Sequence, residues 1–86
     1  MKNKTIMVSF LIEPNGDGYL ASVPGIQGAF AEGDSIEEAL FNCVDVIKMI
    51  LDYRKERNEL VNFNYIPITK NTRITVSFPI ALKRYV

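Results

Sequence analysis

Hydrophobic and polar positions alternate with period two near the start of the chain. Ile6, Val8, Phe10 and Ile12 are the regularly spaced apolar members of the run Thr5–Ile12. Such alternation predicts a strand that buries one face. Some of the intervening positions are also apolar, so both faces are expected to be partly covered, as in the middle of a sheet.

Turn-forming residues divide the next segment into two further strands. Pro14–Gly18 is typical of a hairpin turn, because proline lacks an amide donor and glycine tolerates positive φ. Alternation resumes over Tyr19–Val23 and stops at Pro24–Gly25, and a short strand fits at 29–32 before Gly33. The pattern therefore predicts a three-stranded meander.

A helix start at Ser35 is the clearest local signal. Ser35 and Glu38 have the spacing of a capping box, and acidic side chains here lie at the positive end of a helix dipole. Apolar residues then recur at three- and four-residue steps, at Ile36, Leu40, Cys43, Ile47 and Ile50. This periodicity predicts a long amphipathic helix that runs to about Asn58 and packs on the sheet.

A last strand is predicted near the carboxyl end, where Arg73–Phe78 alternates polar and apolar residues. The order β-β-β-α-β gives an α+β fold with one long helix on a mainly antiparallel sheet. We expect a single domain over residues 1–86. It has a core at about 5–58, a connection at 59–71, and the last strand and tail at 72–86.

Charge is distributed unevenly although the formal net charge is zero. Residues 1–51 carry three basic and seven acidic side chains, a net charge of −4, and residues 52–86 carry seven basic and three acidic ones, a net charge of +4. One interpretation is an acidic face for a basic partner, and the other is an ordinary mixed surface.

The amino terminus and the cysteine content favour a cytoplasmic protein that does not enter a membrane. The first apolar run is too short for a signal core or a membrane span. The single cysteine, Cys43, cannot form a disulfide within the chain, which fits a reducing compartment.

The sequence lacks the residues on which most catalysis depends. It has no histidine, which removes the usual general base and the commonest metal ligand. Cys43 lies on the predicted buried stripe and is expected to be a core residue, and the glycine spacing matches no phosphate-binding motif. We expect neither an enzyme nor a cofactor or metal site. A carboxylate-only active site built from Glu13, Asp17 or Glu32 is the alternative.

The stretch GDGYLASVPGIQGAFAEGDSIEEAL, from Gly16 to Leu40, resembles the core of HicB-type antitoxins. Members of that family share a glycine-rich hairpin, a Val-Pro corner, a short strand and a Gly-Asp-Ser/Thr helix start, and the similarity covers about residues 5–57. The resemblance implies a partial RNase H-like fold without that fold's catalytic acids. It also implies binding to a small basic mRNA-cleaving HicA-like toxin, whose active site the antitoxin blocks.

Charge and expected exposure select five candidates for partner binding on the surface between residues 13 and 38. Each also has a structural interpretation, a role in a turn or a helix cap. The candidates are Glu13, Asp17, Tyr19, Glu32 and Asp34.

Two other functions are alternatives to neutralisation of a toxin. The tail at 72–86 resembles the strand that enters a ribbon-helix-helix module, without the two helices that complete one, and this suggests a DNA-binding autorepressor subunit. The other alternative is an orphan oligomeric ligand-binding domain. With any of these functions a homo-oligomer, a dimer or a tetramer, is expected, because a small core and unpaired sheet edges favour association.

Overall fold

One helix packs on an antiparallel sheet in the computed structural model, which describes residues 5–59 and 65–82. Strands β2, β3 and β4 form a three-stranded sheet in that order, and β1 pairs with β5 in a separate two-stranded ladder. Both sheets are antiparallel, so the predicted α+β class is confirmed, whereas the RNase H-like assignment stays a prediction. The elements are β1 (Thr5–Ile6), β2 (Leu11–Asn15), β3 (Gly18–Ser22), β4 (Phe30–Gly33), α1 (Ile36–Glu56) and β5 (Tyr65–Ile66).

The strand predicted at Thr5–Ile12 was wrong as a single element. Its two ends belong to β1 and β2, which lie in different sheets, and residues 7–10 pair with no described strand. Val8 and Phe10 nevertheless pack against the core. Alternation therefore identified the buried side of this segment, but it could not identify a hydrogen-bonding neighbour.

The hairpin between β2 and β3 turns within two residues, Gly16 and Asp17. Asn15 pairs with Gly18 across the ladder, and Gly16 has a φ of 61° whereas Asp17 does not have positive φ. Glycine with positive φ at the first central position is the requirement of a type II′ turn, whose twist matches that of the flanking strands. β2 includes Pro14, which an edge strand tolerates.

Helix α1 begins and ends with defined caps. Ser35 is the N-cap, and its hydroxyl accepts a hydrogen bond from the backbone of Glu38. At the other end, Asn58 has a φ of 57°, and the backbone N–H groups of Asn58 and Glu59 donate to the carbonyls of Lys55 and Arg54. These two bonds with a left-handed residue form a Schellman motif. The helix thus ends at Glu56, close to the predicted Asn58.

The core lies between α1 and one face of the three-stranded sheet, and it is built from small side chains. Half-buried residues, among them Ile12, Tyr19 and Ile50, surround it. Small residues let the helix approach the sheet closely, but they bury little apolar area. The buried apolar set among the described residues is Ala21, Val23, Ala29, Ala39, Cys43 and Ile47. In the described part of the chain, no helix combines the length and apolarity needed to cross a membrane.

The last strand predicted at Arg73–Phe78 is wrong for the single chain. Residues 72–82 form no strand in the structure, and the strand that follows the helix is β5, inside the predicted connection. A strand requires a partner that supplies ladder hydrogen bonds, and none of the described strands pairs with this segment. The remainder of the predicted connection at 60–64, and the tail beyond 82, lie outside the described residues.

Candidate functional site

An open depression lies where the β2–β3 hairpin, the end of β4 and the start of α1 meet. Its volume is about 400 Å³, and four of its side chains are carboxylates while none is basic. We call it the acidic depression. The residues that line it are Asn15, Asp17, Gly18, Tyr19, Glu32, Gly33, Asp34 and Glu38.

Strand register and two glycines bring these residues together. Tyr19 lies opposite Gly33 in the β3–β4 ladder. A Cβ atom on Gly18 would lie 2.4 Å from the Gly33 carbonyl oxygen, and one on Gly33 would lie 2.4 Å from the backbone nitrogen of Ala39. Only glycine fits such approaches without displacing backbone. The hairpin, β4 and the first turn of α1 are therefore in direct backbone contact around the depression.

Hydrogen bonds fix Glu32 at two points. The Asn15 side-chain amide donates to its carboxylate at 3.1 Å, and the Asn42 side-chain amide donates to its backbone carbonyl at 2.9 Å. The second bond satisfies an acceptor on β4, which lies at an edge of the sheet. Side-chain capping of that kind makes an edge less available to a further strand.

The predicted capping box forms with one difference. The Glu38 N–H donates to the Ser35 hydroxyl at 3.0 Å, as the spacing predicts. The Glu38 carboxylate accepts from the backbone N–H of Asp34, whereas a standard box would use the N–H of Ser35. The carboxylate consequently turns toward Asp34 and becomes part of the wall of the depression.

Two carboxylates of the depression have no polar side-chain partner within the described residues. Asp17 lies in the hairpin turn and Asp34 precedes the N-cap, and the side chains of both are exposed. Across residues 5–59 and 65–82 they take part in no side-chain hydrogen bond or ion pair. An unpaired carboxylate on an exposed surface keeps its full charge available to a partner.

Four of the five predicted binding candidates line the depression together: Asp17, Tyr19, Glu32 and Asp34. Tyr19 is half-buried and also packs against the core. Glu13 is not part of the lining. It lies opposite Leu20 in the β2–β3 ladder, and Leu20 lies opposite Glu32 in turn. Glu13 and Glu32 are therefore on one sheet face with Leu20 between them.

That face is turned away from α1, and we call it the open sheet face. Two cross-strand rows form it, the first being Leu11, Ser22 and Phe30 and the second Glu13, Leu20 and Glu32. Leu11 and Phe30 are 48% and 59% exposed. Helix α1 packs against the other face, through residues such as Ala21.

Sequence reasoning missed Asn15 and Glu38 as members of the depression. The sequence predicts Glu38 only as a member of the capping box, since spacing along the chain does not show which way the second carboxylate oxygen faces. It predicts Asn15 only as a turn residue. Its position two residues before Asp17 is a signal that could have placed both residues at the same end of the hairpin.

Cys43 is fully buried in the core, as predicted from its place on the apolar stripe. Burial raises the pKa of its thiol, so the reactive thiolate is disfavoured. Among residues 5–59 and 65–82, no cluster of three or more histidine, cysteine or acidic side chains is arranged to hold a metal ion.

Two curated proteins are similar to about half of the chain. Over 48 residues it is 38% identical to the "Uncharacterized 14.9 kDa protein in rep-hol intergenic region" of Haemophilus phage HP1, which covers 56% of this chain and 36% of that protein. Over 46 residues it is 37% identical to a "UPF0150 protein" of Helicobacter pylori (strain J99), which covers 54% of this chain and 64% of that protein.

The chain thus matches less than two thirds of the length of either relative, and neither protein's name states an activity. The UPF0150 similarity is compatible with the HicB-like resemblance. No protein-family model matches the chain, and no solved structure matches it.

Proposed function

We propose that this chain is an antitoxin-type protein, which binds a small basic mRNA-cleaving protein of the HicA type and neutralises it without catalysing a reaction itself. The observation that carries the proposal is the acidic depression. Its four carboxylates lie on one open surface, and neither Asp17 nor Asp34 has a side-chain polar partner in the described residues. Such a surface favours basic partners and accelerates their association.

The chemistry of the proposed target fits this surface. A protein that cleaves mRNA must hold the phosphate backbone with lysine and arginine side chains. Carboxylates compete for those same side chains, whereas they repel RNA itself. Occupation of the toxin's RNA-binding side by the acidic depression would therefore block its substrate, and the interaction would take place in the cytoplasm, where mRNA is present.

The rigidity of the depression also favours a binding role. The backbone segments that form its walls are in contact at Gly18 and Gly33. The Glu32 carboxylate accepts a hydrogen bond from the Asn15 side chain. A surface that is already ordered loses little conformational entropy on binding. Half-buried Tyr19 supplies an aromatic side chain at the same place, of the kind enriched in strongly contributing interface positions.

The test is co-expression of the 86-residue chain with a small basic protein encoded by the neighbouring gene, with growth and binding as readouts. We expect the wild-type chain to restore growth. Asp17→Lys combined with Glu32→Lys should weaken binding by more than about thirtyfold, or ~2 kcal/mol, because like charges then face the partner. Rescue of growth should be lost together with binding.

A matched control is Asp52→Lys combined with Glu56→Lys. Both residues are exposed near the end of α1, and the substitutions change the net charge by the same amount. This control should bind and rescue as the wild type does, and circular dichroism should show that both variants fold. Equal loss in the two variants would mean that net charge alone governs binding. Full rescue by Asp17→Lys with Glu32→Lys would exclude the acidic depression as the site.

A further inference from the structure

The tip of the β2–β3 hairpin has the sequence Asn15-Gly16-Asp17-Gly18. Asn15 is the one asparagine of the chain that precedes a glycine, and Asp17 is the one aspartate that does so. Such pairs react slowly in water, because the backbone nitrogen of the second residue attacks the side-chain Cγ of the first and closes a five-membered ring. Glycine has no Cβ atom to obstruct that approach. Two reactive pairs therefore lie beside the acidic depression, whose lining includes Asn15 and Asp17.

The hydrogen bonding of the hairpin distinguishes the two pairs. Gly16 lies between the paired strands, and its backbone nitrogen donates no hydrogen bond to any described residue. Gly18 instead belongs to β3 and lies opposite Asn15, at the position whose nitrogen closes a hydrogen-bonded β-turn. A nitrogen that already donates to a carbonyl must break that bond before it attacks. Asn15 is therefore the more reactive of the two sites.

The surroundings of Asn15 leave room for the reaction. Asn15 and Gly16 are exposed, and a Cβ atom built on Gly16 meets nothing within 4 Å. Attack requires Cγ of Asn15 to reach the Gly16 nitrogen, which an exposed turn permits when it opens locally. One contact opposes this movement, since the side-chain amide of Asn15 donates to the Glu32 carboxylate at 3.1 Å. The bond restricts rotation of the side chain and so slows the approach.

We propose that Asn15 is a site of spontaneous deamidation and that its hydrogen bond to Glu32 slows the reaction. The Gly16 nitrogen bonds to Cγ of Asn15, the bond from Cγ to Nδ2 breaks, and Nδ2 leaves as ammonia with the proton that Gly16 gives up. Water then opens the resulting succinimide ring. Cleavage between the ring nitrogen and Cγ yields aspartate, and cleavage between the nitrogen and the backbone carbonyl carbon yields isoaspartate. Water is consumed and ammonia released in equal amounts, without oxidant, reductant or cofactor.

Both products change the acidic depression. The amide donor of Asn15 is replaced by a carboxylate beside Glu32, so repulsion between like charges takes the place of a hydrogen bond. The lining then carries one carboxylate more than the four it has before the reaction. Isoaspartate also lengthens the main chain by a methylene group, in a hairpin whose two-residue turn sets the register of β2 and β3. The modification therefore adds charge in either product and displaces the hairpin in one of them.

The test is incubation of the purified 86-residue chain in weakly alkaline buffer, which favours loss of the proton from the attacking nitrogen, followed by peptide mass mapping. We expect the mass gain of an amide converted to a carboxyl in the peptide that contains Asn15, as two products that separate chromatographically. One of them should co-elute with the same peptide from Asn15→Asp. Exposed Asn58 and Asn71, which larger residues follow, are the internal controls. Asn15 should react at least about tenfold faster than either, a barrier difference of about 1.4 kcal/mol.

Variants of Asn15 and Glu32 test the two parts of the proposal. Asn15→Gln keeps an amide but would have to close a six-membered ring, so the reaction should stop. Glu32→Ala should accelerate the reaction of Asn15 by about threefold or more, because a hydrogen bond of ordinary strength no longer restrains the side chain. Glu32→Gln is the matched control, since it retains an acceptor oxygen and should react as the wild type does. Circular dichroism shows that each variant folds.

Two results would overturn the proposal. If Asn15 stays unmodified, or reacts no faster than Asn58 and Asn71, it is not a deamidation site. Equal rates in Glu32→Ala and Glu32→Gln would exclude the restraining role of the hydrogen bond. Every readout is the mass of a peptide, so the test requires no partner protein and is independent of the proposed function.

Discussion

Gly33 determines how closely α1 approaches the sheet beside the acidic depression. A methyl group here would lie 2.4 Å from the nitrogen and 2.8 Å from the Cα of Ala39, both of them backbone atoms that cannot rotate away. Gly33→Ala should therefore displace the first turn of the helix and lower the free energy of unfolding by about 1–3 kcal/mol, the range for overpacked sites. Urea denaturation measures the loss.

Gly16→Ala is the matched control for that prediction. A Cβ at Gly16 meets nothing within 4 Å, although its φ of 61° is strained for alanine, so this variant loses stability without a steric clash. NMR amide shifts should change over residues 35–40 in Gly33→Ala and not in Gly16→Ala. Unchanged shifts in both variants would show that the close approach at Gly33 is not maintained in solution.

Single residues were predictable where the requirement is local. Ser35 as the N-cap and Cys43 as a core residue follow from spacing along one helix, and the structure agrees with both. The close approach at Gly33 was not predictable as such. It depends on a contact with Ala39 that forms only after β4 and α1 pack. In the sequence, such a glycine cannot be distinguished from one that only ends a strand.

At the scale of elements, the end of α1 depends on a left-handed asparagine. Asn58 has a φ of 57°, which glycine adopts freely and alanine adopts at a cost of roughly 1 kcal/mol. Asn58→Gly should therefore raise the free energy of unfolding by about 0.5 kcal/mol, and Asn58→Ala should lower it by about 1 kcal/mol. Glu56→Ala, at the last helical position, is the control for loss of a polar side chain. Equal stability of the glycine and alanine variants would contradict the Schellman end.

Elements defined by local chemistry were predicted better than those defined by pairing. The hairpin, the meander and the helix each carry their own turn or cap residues, such as Gly16 and Ser35. The division of Thr5–Ile12 into β1 and β2 and the missing strand at Arg73–Phe78 depend on a neighbour in space. Alternation indicates which side of a segment is suited to burial, and it does not indicate whether the chain provides the surface that buries it.

At the scale of the whole molecule, acidic residues of the first half of the chain lie on two neighbouring surfaces. The acidic half builds the acidic depression and the open sheet face, and the chain after Glu59 is purely basic among its charged residues. The proposed function uses this arrangement, because a basic partner protein would occupy the depression. Glu32 lies at the boundary of the two surfaces, so a charge reversal there bears on both.

Removal of the tail tests whether the core depends on it. Residues 72–82 are exposed apart from half-buried Phe78, so a chain that stops at Asn71 should keep its free energy of unfolding within about 0.5 kcal/mol when compared with the full chain as a monomer. Small-angle scattering of dilute samples should give a radius of gyration that falls from 15.4 Å for the full chain toward about 11 Å for a compact chain that stops at Asn71. A large loss of stability would mean that the tail packs on its own core.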